Sequence, residues 1–275
     1  MLVRCRPLLG TFVEITVPEA SATAVDGAFD RIGQIQRHMS FHDEGSDLGR
    51  LRRAAAGTIV EVAAETVEVL KIAVNLHRQT DGLFDVTVGR ELVRSGFLPR
   101  PRGCRLRQQT GNASNIEIVD ERHVRCHRPM LIDLGGIAKG YAVDQAVESL
   151  QSAGVERGLV NAGGDLRMFG DLPWDIALRD ADGQVRQTVS LANCAVASSA
   201  NRQNRRWRPG RWRTPHIGFG RRPVALDGRV TVVASHCVLA DAMTKVAMSD
   251  RALAQTLLAC QGGYVMDENS DRIAA

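Results

Sequence analysis

The segment Asp133-Leu134-Gly135-Gly136-Ile137-Ala138-Lys139-Gly140 joins a short apolar stretch to an amphipathic helix through two adjacent glycines. Glycine lets the backbone approach a ligand closely, and the start of a helix presents free N–H groups with partial positive charge. Lys139 adds a mobile cation. This junction can therefore bind phosphate, although an ordinary tight strand-to-helix turn explains the same spacing. It is not a P-loop, because Gly140 follows Lys139 where Ser or Thr would be required.

Apolar periodicity on both sides of this junction predicts a mixture of strands and helices. Strands are expected at 11–17, near Phe84, at 130–134, near Leu159, Trp174, Val189 and Ala195, and at 230–234. Helices are expected at 25–39, 67–76, 143–150, 239–246 and 252–257. Because the order is mixed and does not follow a strict βαβ alternation, the expected fold class is α+β.

Two further motifs contain residues that suit a binding site. Asp85, in Gly82–Gly89, is an acid among strand formers, and either a ligand or a turn-capping carboxylate explains it. The second motif, Asn161-Ala162-Gly163-Gly164-Asp165, has paired glycines. A mirror-image turn or the close approach of a ligand accounts for such a pair.

The composition is that of a globular protein with one compact domain or two small ones. The chain has 275 residues, of which 44% are hydrophobic and 24% charged, and 35 Lys+Arg against 31 Asp+Glu leave a formal charge of +4. These values exclude a disordered or fibrous chain. Lysine occurs only at Lys71, Lys139 and Lys245, so a lysine inside a motif is informative.

The sequence contains no apolar stretch long enough for a transmembrane segment, and its N-terminal apolar run is too short for a signal peptide. As it stands, the chain is expected to be cytoplasmic.

Asp241, Thr244 and Lys245 are predicted to share one face of a helix, away from its apolar stripe. Carboxylate and hydroxyl oxygens are suitable ligands for Mg²⁺. An Asp–Lys ion pair one turn apart, worth roughly a few tenths of a kcal/mol, explains the same spacing.

The stretch 202–222 combines eight arginines with two tryptophans and no acid. Single-stranded nucleic acid or a dinucleotide would favour this combination. A solvated basic loop explains it equally well, and no nucleic-acid-binding module is recognisable, so nucleic acid is not expected as a partner.

Several of these segments occur in the order of a known family. They are Leu9-Gly10-Thr11, Met39-Ser40 with Ser46, Phe84-Asp85-Val86-Thr87-Val88-Gly89, Asp133 to Gly140, Asn161 to Asp165, His216-Ile217 and Ala240-Asp241-Ala242. Together they resemble the FAD:protein FMN transferase family, the ApbE-type flavin transferases. The likeness runs almost end to end, and the ordered co-occurrence of the motifs is specific.

The resemblance implies an activity and a site. Family members use Mg²⁺ and the substrate FAD, cleave its diphosphate, attach FMN to a Ser or Thr hydroxyl of a target flavoprotein subunit and release AMP. Carried over by position, the FAD contacts are Leu9, His42, Leu83, Phe84, Asp85, Asp133, Lys139 and Ile217. The metal contacts are Gly136, Asp241 and Thr244, and the catalytic residues are Asp241 and Lys139. The implied architecture is a single domain over 1–275, with largely antiparallel sheets and flanking helices around a central flavin cleft.

The chain departs from the family pattern at several positions. Leu9 replaces a usual Met, and His42 a more usual aromatic residue. Lys245 stands where the family commonly has a metal-binding Thr, and an ammonium cannot coordinate Mg²⁺. Thr244, one residue earlier, is an imperfect substitute. The loop 218–223 after Ile217 is remodelled.

These departures keep two alternatives open: hydrolysis of the FAD diphosphate with water as acceptor, and non-catalytic FAD binding. The resemblance also leaves open an exported or membrane-anchored form.

Overall fold

A computed structural model describes residues 1–202, 204–208, 210–225 and 228–266. The described residues form seven α-helices: α1 (Ala24–Met39), α2 (Asp47–Arg53), α3 (Ala64–Gln79), α4 (Gly89–Ser95), α5 (Ala138–Ser152), α6 (Cys237–Ala247) and α7 (Arg251–Ala259). Their strands are β1 (Leu2–Leu8), β2 (Thr11–Val17), β3 (Ile59–Glu61), β4 (Ile116–Ile118), β5 (His123–Cys126), β6 (Gly158–Ala162), β7 (Asp165–Phe169), β8 (Trp174–Arg179), β9 (Val185–Leu191), β10 (Ala195–Ala200), β11 (Arg206–Arg208), β12 (Arg211–Arg213), β13 (Ile217–Gly218), β14 (Arg222–Pro223), β15 (Arg229–Ala234) and β16 (Tyr264–Val265).

The α+β class and the antiparallel sheets are confirmed, and most predicted elements coincide with observed ones. The predicted strands near Phe84 and at 130–134 are wrong: both segments are irregular and share one isolated bridge. Near Phe84, the Thr87 N–H donates to Asp85 Oδ1 (2.8 Å). Because this backbone N–H is already bonded to a local side chain, it does not pair with a neighbouring strand. Residues 130–134 form a short, mostly buried apolar run, which does not by itself specify a strand.

The described residues fold into two compact units. Unit 1 comprises those within 1–34, 139–203 and 226–275, and unit 2 those within 35–138 and 204–225. The expectation of one domain over 1–275 stays a prediction. Across the described part of the chain, every helix falls short of the length and apolar content that a membrane span requires.

Unit 2 contains α2, α3 and α4 and a three-stranded antiparallel sheet in the order β3-β5-β4. Helix α2 begins after Ser46, whose hydroxyl accepts the Gly49 N–H (3.0 Å) as an N-cap. The arginine-rich stretch 202–222 supplies two short hairpins, β11–β12 and β13–β14. The side chains of Arg208 and Arg211 in this stretch lie outside the described residues.

Unit 1 is built on a seven-stranded antiparallel sheet in the order β1-β2-β6-β7-β10-β15-β16. A two-residue turn, Gly163-Gly164, connects β6 to β7 with φ angles of 67° and 101°. Side chains other than glycine rarely adopt such angles, so this turn explains the paired glycines of the motif. Because Ala162 pairs with Asp165, the turn places Asp165 at the first position of β7.

The residues of β7 alternate between the two faces of the sheet. Leu166 and Met168 join an apolar cluster that includes Ile176 and Val189 from the hairpin β8–β9. On the opposite face, Asp165 contacts Lys139 and Arg167 contacts Asp144, both on α5. Helix α6 packs against β10 and β15 and is buried along most of its length. Polar side chains of β7 and α5 thus meet inside unit 1.

Helices α5 and α6 are in close backbone contact at Gly140. A Cβ at this position would overlap the carbonyl oxygen of Cys237 and would lie 2.8 Å from the Cα of Val238. Both neighbours are backbone atoms at the start of α6, so they cannot move aside without shifting the helix. The absence of a side chain at Gly140 therefore sets the distance between the two helices.

We expect Gly140→Ala to lower the free energy of unfolding by about 3 kcal/mol, because overpacking against backbone forces the helices apart. Gly27→Ala is the matched control. A Cβ at Gly27, in α1, would lie 3.9 Å from Ser149 Oγ, an ordinary contact. That variant is expected to gain roughly 0.5–1 kcal/mol from the better helix propensity of alanine. Urea denaturation measures both, and equal effects at the two glycines would contradict the prediction.

Candidate functional site

Two lysines and two aspartates of unit 1 form a cluster of charged side chains. Lys139, in the first turn of α5, contacts Asp165 Oδ2 at the start of β7, and its Nζ lies 3.9 Å from Asp241 Oδ2 on α6. Lys245, one turn after Asp241, contacts the other oxygen, Oδ1. The carboxylate side chains are buried, with 3% and 0% exposure, whereas those of Lys139 and Lys245 are 30% and 18% exposed.

The electrostatics of the cluster follow from its burial. Burial acts to raise the pKa of Asp241, but Lys139, Lys245 and hydrogen bonds outweigh it and lower this pKa overall. Burial and the nearby Asp241 raise the pKa of Asp165. For Lys139, burial acts to lower the pKa, yet the two carboxylates raise it. Lys139 therefore keeps its positive charge at neutral pH.

Each of the two helices that carry this cluster has its first turn capped by an aspartate of the other. Asp241 of α6 accepts the Gly140 N–H of α5 (3.2 Å). Asp144 of α5 accepts the N–H groups of Cys237 (2.9 Å) and Val238 (2.8 Å) of α6. A carboxylate at a helix N-terminus satisfies free donors and interacts favourably with the helix dipole. The reciprocal caps therefore hold Asp241 in place.

Sequence reasoning missed Asp144 and its partner Arg167. Arg167 Nη1 donates to Asp144 Oδ1 (2.9 Å), and the Asp144 side chain is buried. Burial raises the pKa of Asp144, although the α6 N–H groups and Arg167 act against it. The only signal in the sequence is an acid beside the apolar stripe of α5, at Asp144 next to Val143.

The periodicity predicted that Thr244 shares with Asp241 a helix face away from the apolar stripe, but this face is not exposed at either residue. Thr244 is fully buried, and so is Asp241, because α6 is covered on most sides. The Thr244 hydroxyl donates to the carbonyl oxygen of Asp241 (2.7 Å) and also forms a hydrogen bond with Ser199 Oγ (2.8 Å). Its role as a metal ligand stays a prediction.

The oxygen atoms that could coordinate a divalent cation at Asp241 are not available for it. Both carboxylate oxygens already accept hydrogen bonds, and two ammonium groups lie beside them. The hydroxyl of Thr244 has its own partners. Within the described residues, no group of three or more His, Cys, Asp or Glu side chains is arranged to hold a metal ion. A metal ion would have to displace Lys245 from Asp241.

In unit 2, three of the expected FAD residues are consecutive. Leu83 and Phe84 are buried, and the Asp85 side chain is 6% exposed. Asp85 Oδ1 accepts the N–H and hydroxyl of Thr87 (both 2.8 Å), and Asp85 Oδ2 accepts Arg221 Nη2 (3.0 Å). The carboxylate thus holds its own turn, as the turn-capping alternative predicted.

Arg221 ties the remodelled loop 218–223 to the turn that contains Asp85. Besides Asp85, it donates to the carbonyl and hydroxyl oxygens of Thr87 (3.3 and 2.6 Å), to the Gly111 carbonyl (2.8 Å) and to Glu91 Oε2 (3.3 Å). Its backbone is left-handed, with φ of 58°. Sequence reasoning grouped Arg221 with the basic stretch and had no signal for this role.

Asp133 is the first residue of the junction 133–140 that precedes and opens α5. Its N–H donates to the Val86 carbonyl (2.7 Å), and its side chain is half-buried. Burial raises the pKa of Asp133 to about 6, although the Gly135 N–H and His42 act to lower it.

The remaining expected residues are distributed between the units. Gly136, His42 and Ile217 belong to unit 2, where Ile217 opens β13 and His42 is exposed. Leu9 belongs to unit 1 and lies in the turn between β1 and β2, with φ of 56°. Their contacts with FAD stay predictions.

Comparison with known proteins gives a consistent result. The model of the ApbE family matches residues 9–262. The FAD:protein FMN transferase of Rhodobacter capsulatus is 31% identical over 258 residues, 86% of this chain and 49% of the relative. That of Vibrio cholerae is 27% identical over 218 residues, 72% of this chain and 65% of the relative. The chain spans about half to two thirds of the length of these curated relatives.

Solved structures agree with the sequence comparisons. The ApbE protein of Thermotoga maritima is 28% identical, with a TM-score of 0.83 over 96% of this chain and 93% of that one. The flavin transferase ApbE from Vibrio cholerae is 25% identical, with a TM-score of 0.78 over 96% and 92%.

We expect Arg221→Met to lower the free energy of unfolding by roughly 3 kcal/mol, because Asp85, Thr87 and the Gly111 carbonyl lose a charged donor. Arg222→Met is the control. Arg222 is the exposed neighbour in sequence, and its substitution is expected to change the free energy by less than about 0.5 kcal/mol. Urea denaturation measures both. If both variants lost a similar free energy of unfolding, the hydrogen bonds of Arg221 would not contribute the stability assigned to them.

Asp133 makes stability depend on pH. Its pKa rises from 3.8 to about 6 on folding, so the folded chain binds this proton more tightly than the unfolded chain does. Ionisation of Asp133 therefore favours unfolding, and its destabilising effect grows as the pH rises from about 4 to about 6.

Asp133→Asn cannot ionise. The free energy of unfolding of the wild type minus that of this variant should fall across this pH window and stay constant above it. Denaturation at a series of pH values measures the difference, with Asp30→Asn, at an 82% exposed side chain, as control. A difference that does not change with pH would contradict the assignment.

Proposed function

Because the chain belongs to the ApbE family, we propose that it is a flavin transferase. It binds FAD, transfers the FMN part to a Ser or Thr hydroxyl of an acceptor flavoprotein subunit and releases AMP. The observation that carries the proposal is the position of Lys139. Its ammonium lies in the first turn of α5, directly after Gly135-Gly136, and is partly exposed while its carboxylate partners are buried.

The reaction is a phosphoryl-type transfer. The acceptor oxygen forms a bond to the phosphorus on the FMN side, the bond from that phosphorus to the bridging oxygen breaks, AMP leaves with that oxygen, and the hydroxyl proton passes to water. Negative charge develops on the leaving phosphate, so most of the catalysis comes from positioning and from fixed positive charge.

Lys139 supplies that charge in this proposal. Two carboxylates raise its pKa, so it stays protonated and acts as a hydrogen-bond donor to phosphate oxygens, not as a base. Asp165 and Asp241 hold the ammonium through opposite charge, and Asp241 is itself held by the Gly140 N–H. Because these partners are in place before substrate arrives, little reorganisation is needed during the reaction.

Mg²⁺, which the resemblance implies, has no step in this proposal. Two observations argue against Mg²⁺ binding at Asp241. Two ammonium groups lie beside its carboxylate, and the Thr244 hydroxyl is already hydrogen-bonded within the chain. The residues that act here are therefore Lys139 and the carboxylates that orient it.

The test uses FAD and a flavoprotein subunit that natively carries phosphoester-linked FMN, prepared without flavin. We expect a fluorescent protein band that survives denaturation, together with one AMP for each flavin attached. AMP without a fluorescent band would support the hydrolase, and tight FAD binding without either product would support the non-catalytic alternative. Either result would overturn the proposal.

We expect Lys139→Met to reduce flavin transfer by about a hundredfold or more, the usual effect of removing one charged donor at a developing negative charge. Lys71→Met is the control, because Lys71 lies exposed on α3 in unit 2. Circular dichroism checks that both variants are folded. Wild-type transfer by a folded Lys139→Met protein would remove Lys139 from the mechanism.

A further inference from the structure

Asp241 is the most enclosed charged group of the candidate site, and its charge is balanced within the chain. Its side chain has no exposed surface. Lys245 contacts Oδ1, and Lys139 lies 3.9 Å from Oδ2, the oxygen that also accepts the Gly140 N–H. With Asp165 beside Lys139, two ammonium groups balance two carboxylates, so the cluster carries no net negative charge that would attract a metal ion.

Lys245 differs from an ordinary surface lysine. A lysine one turn after an aspartate on an exposed helix contributes only roughly 0.2–0.5 kcal/mol. Here the aspartate is fully buried, and the lysine side chain is itself only 18% exposed. An uncompensated carboxylate in that environment would be strongly destabilising, so Lys245, together with Lys139 and the Gly140 N–H, stabilises the ionised form of Asp241. The chain uses one of its three lysines for this contact.

We propose that the ammonium of Lys245 takes, at Asp241, the place of a divalent cation and supplies one positive charge there. This inference rests on the proposed function and deepens it: the site handles the FAD diphosphate with two built-in cations, Lys139 and Lys245, and needs no metal ion. A lysine ammonium is a compact point charge with three donors, so it can contact Asp241 and still offer donors to phosphate. Unlike a metal ion, it cannot be removed by a chelator.

The first test measures metal binding without any reaction. Mn²⁺ alone is titrated into the wild-type protein and followed by electron paramagnetic resonance. The wild type is expected to bind no Mn²⁺ at this site. Lys245→Thr removes the ammonium and adds a hydroxyl, and it is expected to bind Mn²⁺ with a Kd at least about tenfold below the highest Mn²⁺ concentration at which the wild type shows no binding. A second substitution, Asp241→Asn, should abolish the gain. Lys71→Thr is the control, and no gain is expected there.

The second test uses EDTA. FAD binding and flavin transfer by the wild type are expected to be insensitive to the chelator, whereas those of Lys245→Thr become dependent on added Mg²⁺. Lys245→Arg keeps a cation at Asp241 and is expected to remain insensitive.

The outcomes separate this inference from the proposed function. A wild type that binds one Mn²⁺ per chain and loses it in Asp241→Asn overturns the inference, even if Lys245→Thr fails to fold. So does flavin transfer by the wild type that stops with EDTA, which leaves the transferase proposal intact. A wild type that neither binds Mn²⁺ nor transfers flavin, beside a folded Lys245→Thr that binds Mn²⁺, supports the inference and overturns the proposed function.

Discussion

The ion pairs that Asp165 and Asp241 form with Lys139 and Lys245 constrain much of unit 1. Both carboxylates are buried, and a buried carboxylate is tolerated only when cations and hydrogen-bond donors surround it. Lys139, Lys245 and the Gly140 N–H provide them. The start of α5, the start of β7 and the middle of α6 must therefore lie within one side-chain length of each other. Within the cluster the two carboxylates are buried, and the two lysine side chains are the partly exposed members.

The close approach of α5 and α6 lets Lys139 of α5 reach the carboxylate of Asp241 on α6. Gly140 lets the backbones touch, and the aspartate of each helix caps the first turn of the other. Gly140 therefore serves packing, because a residue without a Cβ admits the backbone of another helix. The phosphate-binding interpretation of the sequence rested on a different pair, Gly135-Gly136, together with Lys139. The first-turn N–H of Gly140 is already bonded to Asp241, so the charge offered to a phosphate comes from Lys139.

Unit 2 has its own polar centre, in which Arg221 binds the turn around Asp85. The loop that supplies this arginine is one of the segments that depart from the family pattern. The remodelled loop thus contributes a charged side chain to the segment around Asp85, through five hydrogen bonds to buried or half-buried acceptors. Asp85 acts locally as a turn-capping carboxylate, which also explains why the apolar residues around it form turns and not a strand.

The sequence by itself determined the α+β class, the long helices and six of the sixteen strands in the described residues, because a periodic apolar pattern is a local property of the chain. It also predicted Lys139 and Asp241 as site residues, and it noted the glycine motif that ends at Asp165 without assigning a role to that carboxylate. Only the tertiary structure decided that these three meet with Lys245, that Asp144 caps α6 and that Arg221 holds Asp85. Each of these contacts joins residues far apart in the chain, or depends on whether a helix face is covered. Periodicity placed Thr244 on a polar face, but burial depends on what packs against the helix, and that information lies in the rest of the chain.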